Sequence, residues 1–195
     1  MKTTRTRQEY LNSVKSIIEP KPICVEIGVH RGLFSMEILD KLNPSKLYLI
    51  DPWETAHEKN SQGQLYAGEI EGLHTAYSNL NDMDEVQRKF LNNIDCGQVI
   101  LQKGYSYDFA SSYEDNYFDF IYIDGSHLYE SVKADLKMFL PKLKKGGLMC
   151  GHDYIEYSNF GVIKAVDEFC EEHNFEMIIF NEPSQGWSHD WALIR

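Results

Sequence analysis

The stretch Tyr117–Tyr154, YFDFIYIDGSHLYESVKADLKMFLPKLKKGGLMCGHDY, decides how this chain is read. It runs as strand, acidic turn, amphipathic helix, Gly-Gly turn, strand, acidic turn. Both strands end in ionisable residues: Asp124 and His127 after the first, His152 and Asp153 after the second. If the strands are parallel neighbours, all four groups share one carboxyl edge. In open α/β sheets that edge is where ligands bind.

Working outward, the same alternation continues in both directions. Upstream, ICVEIGV (23–29), KLYLID (46–51) and GQVILQK (97–103) are short apolar runs that suit buried strands. FDFIYID (118–124) and GLMCG (147–151) follow. Helices are expected over 8–18, from Gly32 to about Leu42, over 128–143 and over 162–173. In the third of these, Val132, Leu136, Phe139, Leu140 and Leu143 fall on one face. Pro20 and Pro22 stop the first helix and Asn43-Pro44 the second. Strands near 176–181 and 190–195 close the chain. Such alternation predicts a single α/β domain, a Rossmann-like mostly parallel sheet with helices on both faces. The segment 54–95 breaks the rhythm. It is polar, carries Gly63, Gly68 and Gly72, and is too long for a simple connection; it is expected to be a lid-like helical insertion.

Composition narrows the function. The chain has 195 residues, with 19 Lys and Arg against 30 Asp and Glu, a formal net charge of −11. That balance argues against a nucleic-acid surface, which wants clustered basic residues. Apolar runs fall short of the roughly 18 residues that span a bilayer, so no membrane partner is expected. Lys2, Arg5 and Arg7 precede no apolar signal region. Cys24, Cys96, Cys150 and Cys170 form no CxxC, and three lie in or beside apolar runs. Free thiols in a reducing, cytoplasmic setting are the reading. Self-association is left open.

Three upstream sites face the same edge. Glu26-Ile27-Gly28-Val29-His30-Arg31-Gly32 is a glycine turn from strand to helix, which lets a ligand approach the backbone. Packing alone also produces such turns. Glu26 lies inside an apolar strand, where an unpaired carboxylate is costly; a ligand ammonium or backbone donors would offset that cost. Asp51 ends the second strand before Pro52-Trp53 and is placed to accept the ribose hydroxyls of an adenosine cofactor, or to cap a turn. Within Lys103-Gly104-Tyr105-Ser106-Tyr107, Ser106 is either a helix cap or a contact to an adenine edge. At the opening stretch, Asp124 and Asp153 offer hard oxygen ligands for Mg²⁺, Mn²⁺ or Ca²⁺. His152 offers nitrogen, and His127 a general base; each histidine is also ordinary polar surface when taken alone.

In order, VEIGVHRG, LYLIDPW, GYS, DFIYIDGSHLYESVKADL and LKKGGLMCGHDY resemble the successive motifs of class I S-adenosylmethionine-dependent methyltransferases. The resemblance is nearest to the small-molecule O-methyltransferases that include catechol and macrolide-sugar enzymes. It covers about Pro22 to Tyr154, and it implies a seven-stranded sheet whose last strand is antiparallel. It further implies S-adenosylmethionine lying across Glu26, Gly28 and Gly32, with Asp51 on the ribose and Gly104, Ser106 and Tyr107 near the adenine. Asp124 is counted with both cofactor and metal. In metal-dependent members two adjacent residues after the fifth strand complete the metal site and are commonly acidic, or acid plus amide; here they are His152 and Asp153. A histidine three residues past the first metal acid serves as base in the sugar-modifying branch, and His127 stands there. The implied reaction is O-methylation of a small hydroxylated acceptor. Trp53, Tyr154 and the insertion 54–95 are the expected acceptor walls, the aromatic rings suiting either stacking on an acceptor or a place in the core. Two rivals are a nicotinamide-dependent oxidoreductase, opposed by the missing GxGxxG (His30 replaces its second glycine), and a non-catalytic cofactor-binding module.

Overall fold

A computed structural model describes residues 2–3, 7–53, 80–157, 159–181 and 189–194. In chain order the strands are β1 (Lys2–Thr3), β2 (Ile23–Ile27), β3 (Lys46–Asp51), β4 (Val99–Lys103), β5 (Phe118–Ile123), β6 (Leu143–Gly151), β7 (Glu176–Asn181) and β8 (His189–Ile194). The helices are α1 (Arg7–Lys15), α2 (Leu33–Leu42), α3 (Leu80–Lys89), α4 (Leu91–Asp95), α5 (Ser106–Phe109), α6 (Tyr129–Phe139) and α7 (Val162–His173). The sheet order is β1-β7-β8-β6-β5-β2-β3-β4. Pairings from β6 through β5, β2 and β3 to β4 are parallel, and β8 runs antiparallel to both β6 and β7. This is the expected seven-stranded sheet with its last strand reversed. The two-residue β1 adds a short eighth strand beside β7.

The sequence explains the centre of the sheet. All six residues of β5 are buried, because helices cover both its faces and leave no side for polar alternation. On one face Leu11, Val14, Phe34 and Ile38 of α1 and α2 pack over Leu47, Leu49, Phe120 and Tyr122. On the other, Val132, Leu136 and Phe139 of α6 and Val166 and Phe169 of α7 pack over Val25, Ile121 and Met149. Thus α6 buries the face expected of it. It ends at Phe139, and a 3₁₀ turn over Leu140–Lys142 carries Pro141. A proline lacks the N–H that another α turn would use. Asn43 closes α2 in a left-handed conformation, its N–H bonded to Leu39 O at 3.1 Å.

All four cysteines are free, with Cys24 and Cys150 buried. Among the described residues no helix is long and apolar enough to cross a membrane. Most of the expected lid-like insertion, residues 54–79, lies outside the described residues. Its last part forms α3 and α4.

Candidate active site

Main-chain hydrogen bonds just past the strands set the lateral order of the loops. Gly104 N–H donates to Asp51 O (3.1 Å), Gly28 N–H to Ile50 O (2.9 Å), Asp124 N–H to Ile27 O (2.7 Å) and His152 N–H to Ile123 O (3.1 Å). The carboxyl ends of β4, β3, β2, β5 and β6 therefore form one continuous rim. The residues singled out in the sequence are brought together on it, adenine-side candidates at one end and the acid and histidine cluster at the other.

At the centre of the rim, Gly28 has φ +87°, and a Cβ there would lie 2.0 Å from Asp124 O and 2.6 Å from Gly125 Cα. Only glycine lets the β2 and β5 loops cross this closely. Asp51 is 4% exposed. One carboxylate oxygen accepts from Val29 N–H and His30 N–H, both at 2.9 Å; the other accepts from Trp53 N–H at 2.7 Å. Asp51 thus ties the turn after β2 to the turn after β3. Glu26 is also buried, and the Ser35 hydroxyl donates to it. Ser35 was not singled out in the sequence; a serine inside the apolar run LFSMEIL, one helical turn into α2, was the signal.

Gly32 (φ +68°) opens α2, and a Cβ there would meet Phe90 at 2.8 Å and Val86 at 3.3 Å. The end of the insertion therefore packs on the glycine turn. Buried Asp82 of α3 accepts from Arg31 Nε at 2.9 Å, and Lys89 Nζ donates to Arg31 O at 2.8 Å. None of these contacts was legible from the polar sequence of the insertion.

At the far end, Gly104 heads the turn after β4. Ser106 is the first residue of α5 rather than its cap, and its hydroxyl donates to Asp135 of α6. Tyr105 N–H donates to Asp108 Oδ2 at 2.9 Å. Tyr107 is exposed and stacks on Tyr105, ring centroids 5.2 Å apart at 8°. Asp135, 5% exposed, is a second polar residue missed in the sequence; it sits on the helix face otherwise read as apolar.

The cluster at the other end is held by its own charges. His127 Nε2 lies 2.7 Å from Asp153 Oδ2. His152 Nδ1 lies 3.4 Å from Asp153 Oδ1 and 3.6 Å from Asp124 Oδ1. One ligand atom from each of Asp124, His152 and Asp153 lies within 4.8 Å of the others. Burial alone lowers the pKa of His152, but the charges and hydrogen bonds of Asp124 and Asp153 outweigh it and raise the value to about 10. For His127 burial again lowers the pKa, and the hydrogen bond and charge of Asp153 reverse that, leaving a net rise. Burial raises Asp153, yet its two histidine partners hold it well below the usual carboxylate range. Trp191 of β8 supports the cluster from behind, its Nε1–H donating to His152 O at 3.0 Å.

The two aromatic residues expected as acceptor walls are placed differently from each other. Trp53 is fully buried, and its Nε1–H donates to His30 O at 3.0 Å. An aromatic ring beside a buried carboxylate found a core position, so Trp53 braces the glycine turn rather than offering an open wall. Tyr154 is half-buried and its hydroxyl donates to Asp167 of α7 at 2.7 Å, which directs it towards α7.

Comparison with known proteins identifies the family. A model of a methyltransferase domain family matches residues 25–154. No curated protein matches the sequence. Among solved structures, the O-methyltransferase NovP is 22% identical, with 97% of this chain and 80% of that one covered and a TM-score of 0.67. An O-methyltransferase from Bacillus cereus in complex with SAH is 14% identical, covering 99% and 82%, with a TM-score of 0.64. An rRNA methylase from Streptococcus thermophilus is 10% identical, covering 98% and 97%, with a TM-score of 0.65. These similarities speak for the shared fold, and the family match overrides the nicotinamide alternative. The chain belongs to the methyltransferase domain family, and it is a class I S-adenosylmethionine-dependent methyltransferase.

Proposed function

We propose that this enzyme moves the sulfonium methyl of S-adenosylmethionine to a hydroxyl of a small acceptor, a sugar or related metabolite, with His127 as general base. The observation that carries the reading is the 2.7 Å pair between His127 and Asp153, beside the three-residue donor set. Asp153 takes Nε2 of His127, which leaves Nδ1 to receive a proton. Asp153 is ionised well below neutral pH, so it stabilises the imidazolium that forms. The acceptor oxygen attacks the methyl carbon as the hydroxyl proton passes to His127. The new O–C bond forms as the C–S bond breaks, and sulfur keeps the bonding pair as a neutral thioether. The protein contributes chiefly by holding oxygen and methyl carbon about 3 Å apart and in line.

Asp124, His152 and Asp153 fit a divalent cation by donor chemistry. The two carboxylates suit Mg²⁺ or Mn²⁺, and the imidazole shifts preference towards transition ions. When bound, the cation supplies Lewis-acid polarisation. The cofactor would lie across Glu26, Gly28 and Gly32, with its adenine towards Gly104, Ser106 and Tyr107 and its methyl towards Asp124. The fixed acidic side chain of Asp51 at the end of β3 supports ribose recognition.

The net charge of −11 favours a small acceptor over RNA phosphate, and the free cysteines favour a cytoplasmic setting. Incubation with S-adenosylmethionine and a panel of sugars, catechols and hydroxy acids tests the reading. A methyl ether, detected by mass spectrometry, is expected with a subset of them. Methylation of RNA with none of the small hydroxylated acceptors turned over would overturn it.

A further inference from the structure

The loop that leaves β6 returns to the imidazole it started beside. Asp153, at its start, bonds His127 Nε2 at 2.7 Å. At its end Gly161 N–H donates to His127 O at 2.8 Å. Between them, Phe160 stacks on the His127 ring, centroids 4.2 Å apart at 19°. One loop therefore holds His127 by a ring nitrogen, by a ring face and by its main-chain carbonyl.

The loop is fixed in turn. Ile155 N–H donates to Asp153 O (2.8 Å) and Phe160 N–H to Tyr157 O (2.9 Å), and Ile155 is buried. Tyr157 meets Phe160 edge-on, centroids 5.5 Å apart at 79°. A Cβ on Gly161 would lie 2.4 Å from Tyr129 N and 2.5 Å from Tyr129 Cα. Glycine there seats the loop directly on the first residue of α6, two positions after His127.

An imidazole hydrogen-bonded at one nitrogen still has a soft torsion about that bond. A flat ring against its face removes this freedom, and the second nitrogen then points in one direction. We propose that Phe160 is a positioning residue for His127, holding the plane of the imidazole so that Nδ1 addresses the acceptor hydroxyl. The proposal rests on the reading of His127 as base. Phe160 touches neither acceptor nor cofactor in this role and acts through His127 alone.

The test is a double-mutant cycle with an independent spectroscopic arm. Phe160→Ala should lower kcat roughly tenfold to a hundredfold, the range for a mispositioned catalytic group. The KM values should change little, and Phe160→Tyr should restore turnover. In the His127→Ala background, Phe160→Ala should add no further loss. In NMR spectra, the His127 Hε1 resonance, assigned by its disappearance in His127→Ala, should be displaced by the Phe160 ring current and relax in Phe160→Ala. Wild-type turnover by His127→Ala would overturn the base reading itself. An inactive His127→Ala with a fully active Phe160→Ala would overturn the positioning role alone. So would an additive loss in the double mutant, or an undisplaced Hε1 resonance in the wild-type enzyme.

Discussion

The turn after β2 and the turn after β6 meet on one rim, yet they are secured by opposite means. The β2 turn is fixed through main-chain groups: Asp51 gathers the N–H groups of Val29, His30 and Trp53, and Gly28 lets the β5 loop pass at contact distance. The β6 turn is fixed by side chains that hold one another, His127 on Asp153 and His152 between Asp153 and Asp124. Under the proposed function the cofactor meets this first turn, whose main-chain shape is set by Asp51 and Gly28. Proton transfer, as proposed for His127, needs a titratable group, and its partner Asp153 titrates as well. The first half is therefore intolerant of added volume at Gly28, and the second is sensitive to pH through its histidines.

Substitutions can break that contrast. The largest effect is expected from His127→Ala, a fall in turnover of about 10²–10⁴-fold with S-adenosylmethionine affinity nearly unchanged by calorimetry. A parallel loss of affinity would show the halves to be one unit. Gly28→Ala should destabilise the fold by on the order of 4 kcal/mol, read from the denaturant midpoint, because strain and overlap act together. A midpoint within experimental error of wild type would remove the close crossing from the argument.

The pH response sharpens the contrast next. The raised His152 value means that its contribution to stability is full below the ordinary imidazole value of 6.5 and is lost as pH rises towards about 10. Asp153, being depressed, contributes above the ordinary carboxylate range and loses its effect only in strong acid. Metal-free protein should accordingly melt at falling temperature between pH 6.5 and 10, and His152→Asn should flatten that slope. An unchanged slope would place the titration elsewhere. The smallest effect belongs to Asp51→Asn. It should weaken S-adenosylmethionine binding about tenfold, because an amide in place of the carboxylate holds the N–H groups of the turn less tightly.

How much of this was legible beforehand follows from the kind of contact. The strands 46–51 and 118–123 and the helix 162–173 could be read because their apolar patterns reflect which faces are covered. The rim could be read because parallel strands of similar length end together. What stayed hidden depends on where main-chain N–H groups point and which side chains reach across elements. Ser106 is the first residue of α5 rather than its cap, and its hydroxyl reaches Asp135, 29 positions away. For Trp53, wall and core are equally open in the sequence, and burial with an indole N–H on His30 O gives it the core position. Phe160 carries no polar group and no motif, so nothing in its neighbourhood announced a histidine 33 positions earlier in the sequence.

The reversed strand β8 has a consequence for the order of assembly. It slots between β6 and β7, and through it Trp191 reaches the His152 carbonyl while His189 O accepts from Tyr154 N–H at 3.1 Å. During synthesis the glycine turn after β2, with β2 and β3, can therefore take shape long before the ionisable cluster gains its backing. A ribosome-bound chain stopped short of residue 189 would leave β6 as a bare edge, so methyl transfer should begin only once that closing strand has threaded into place.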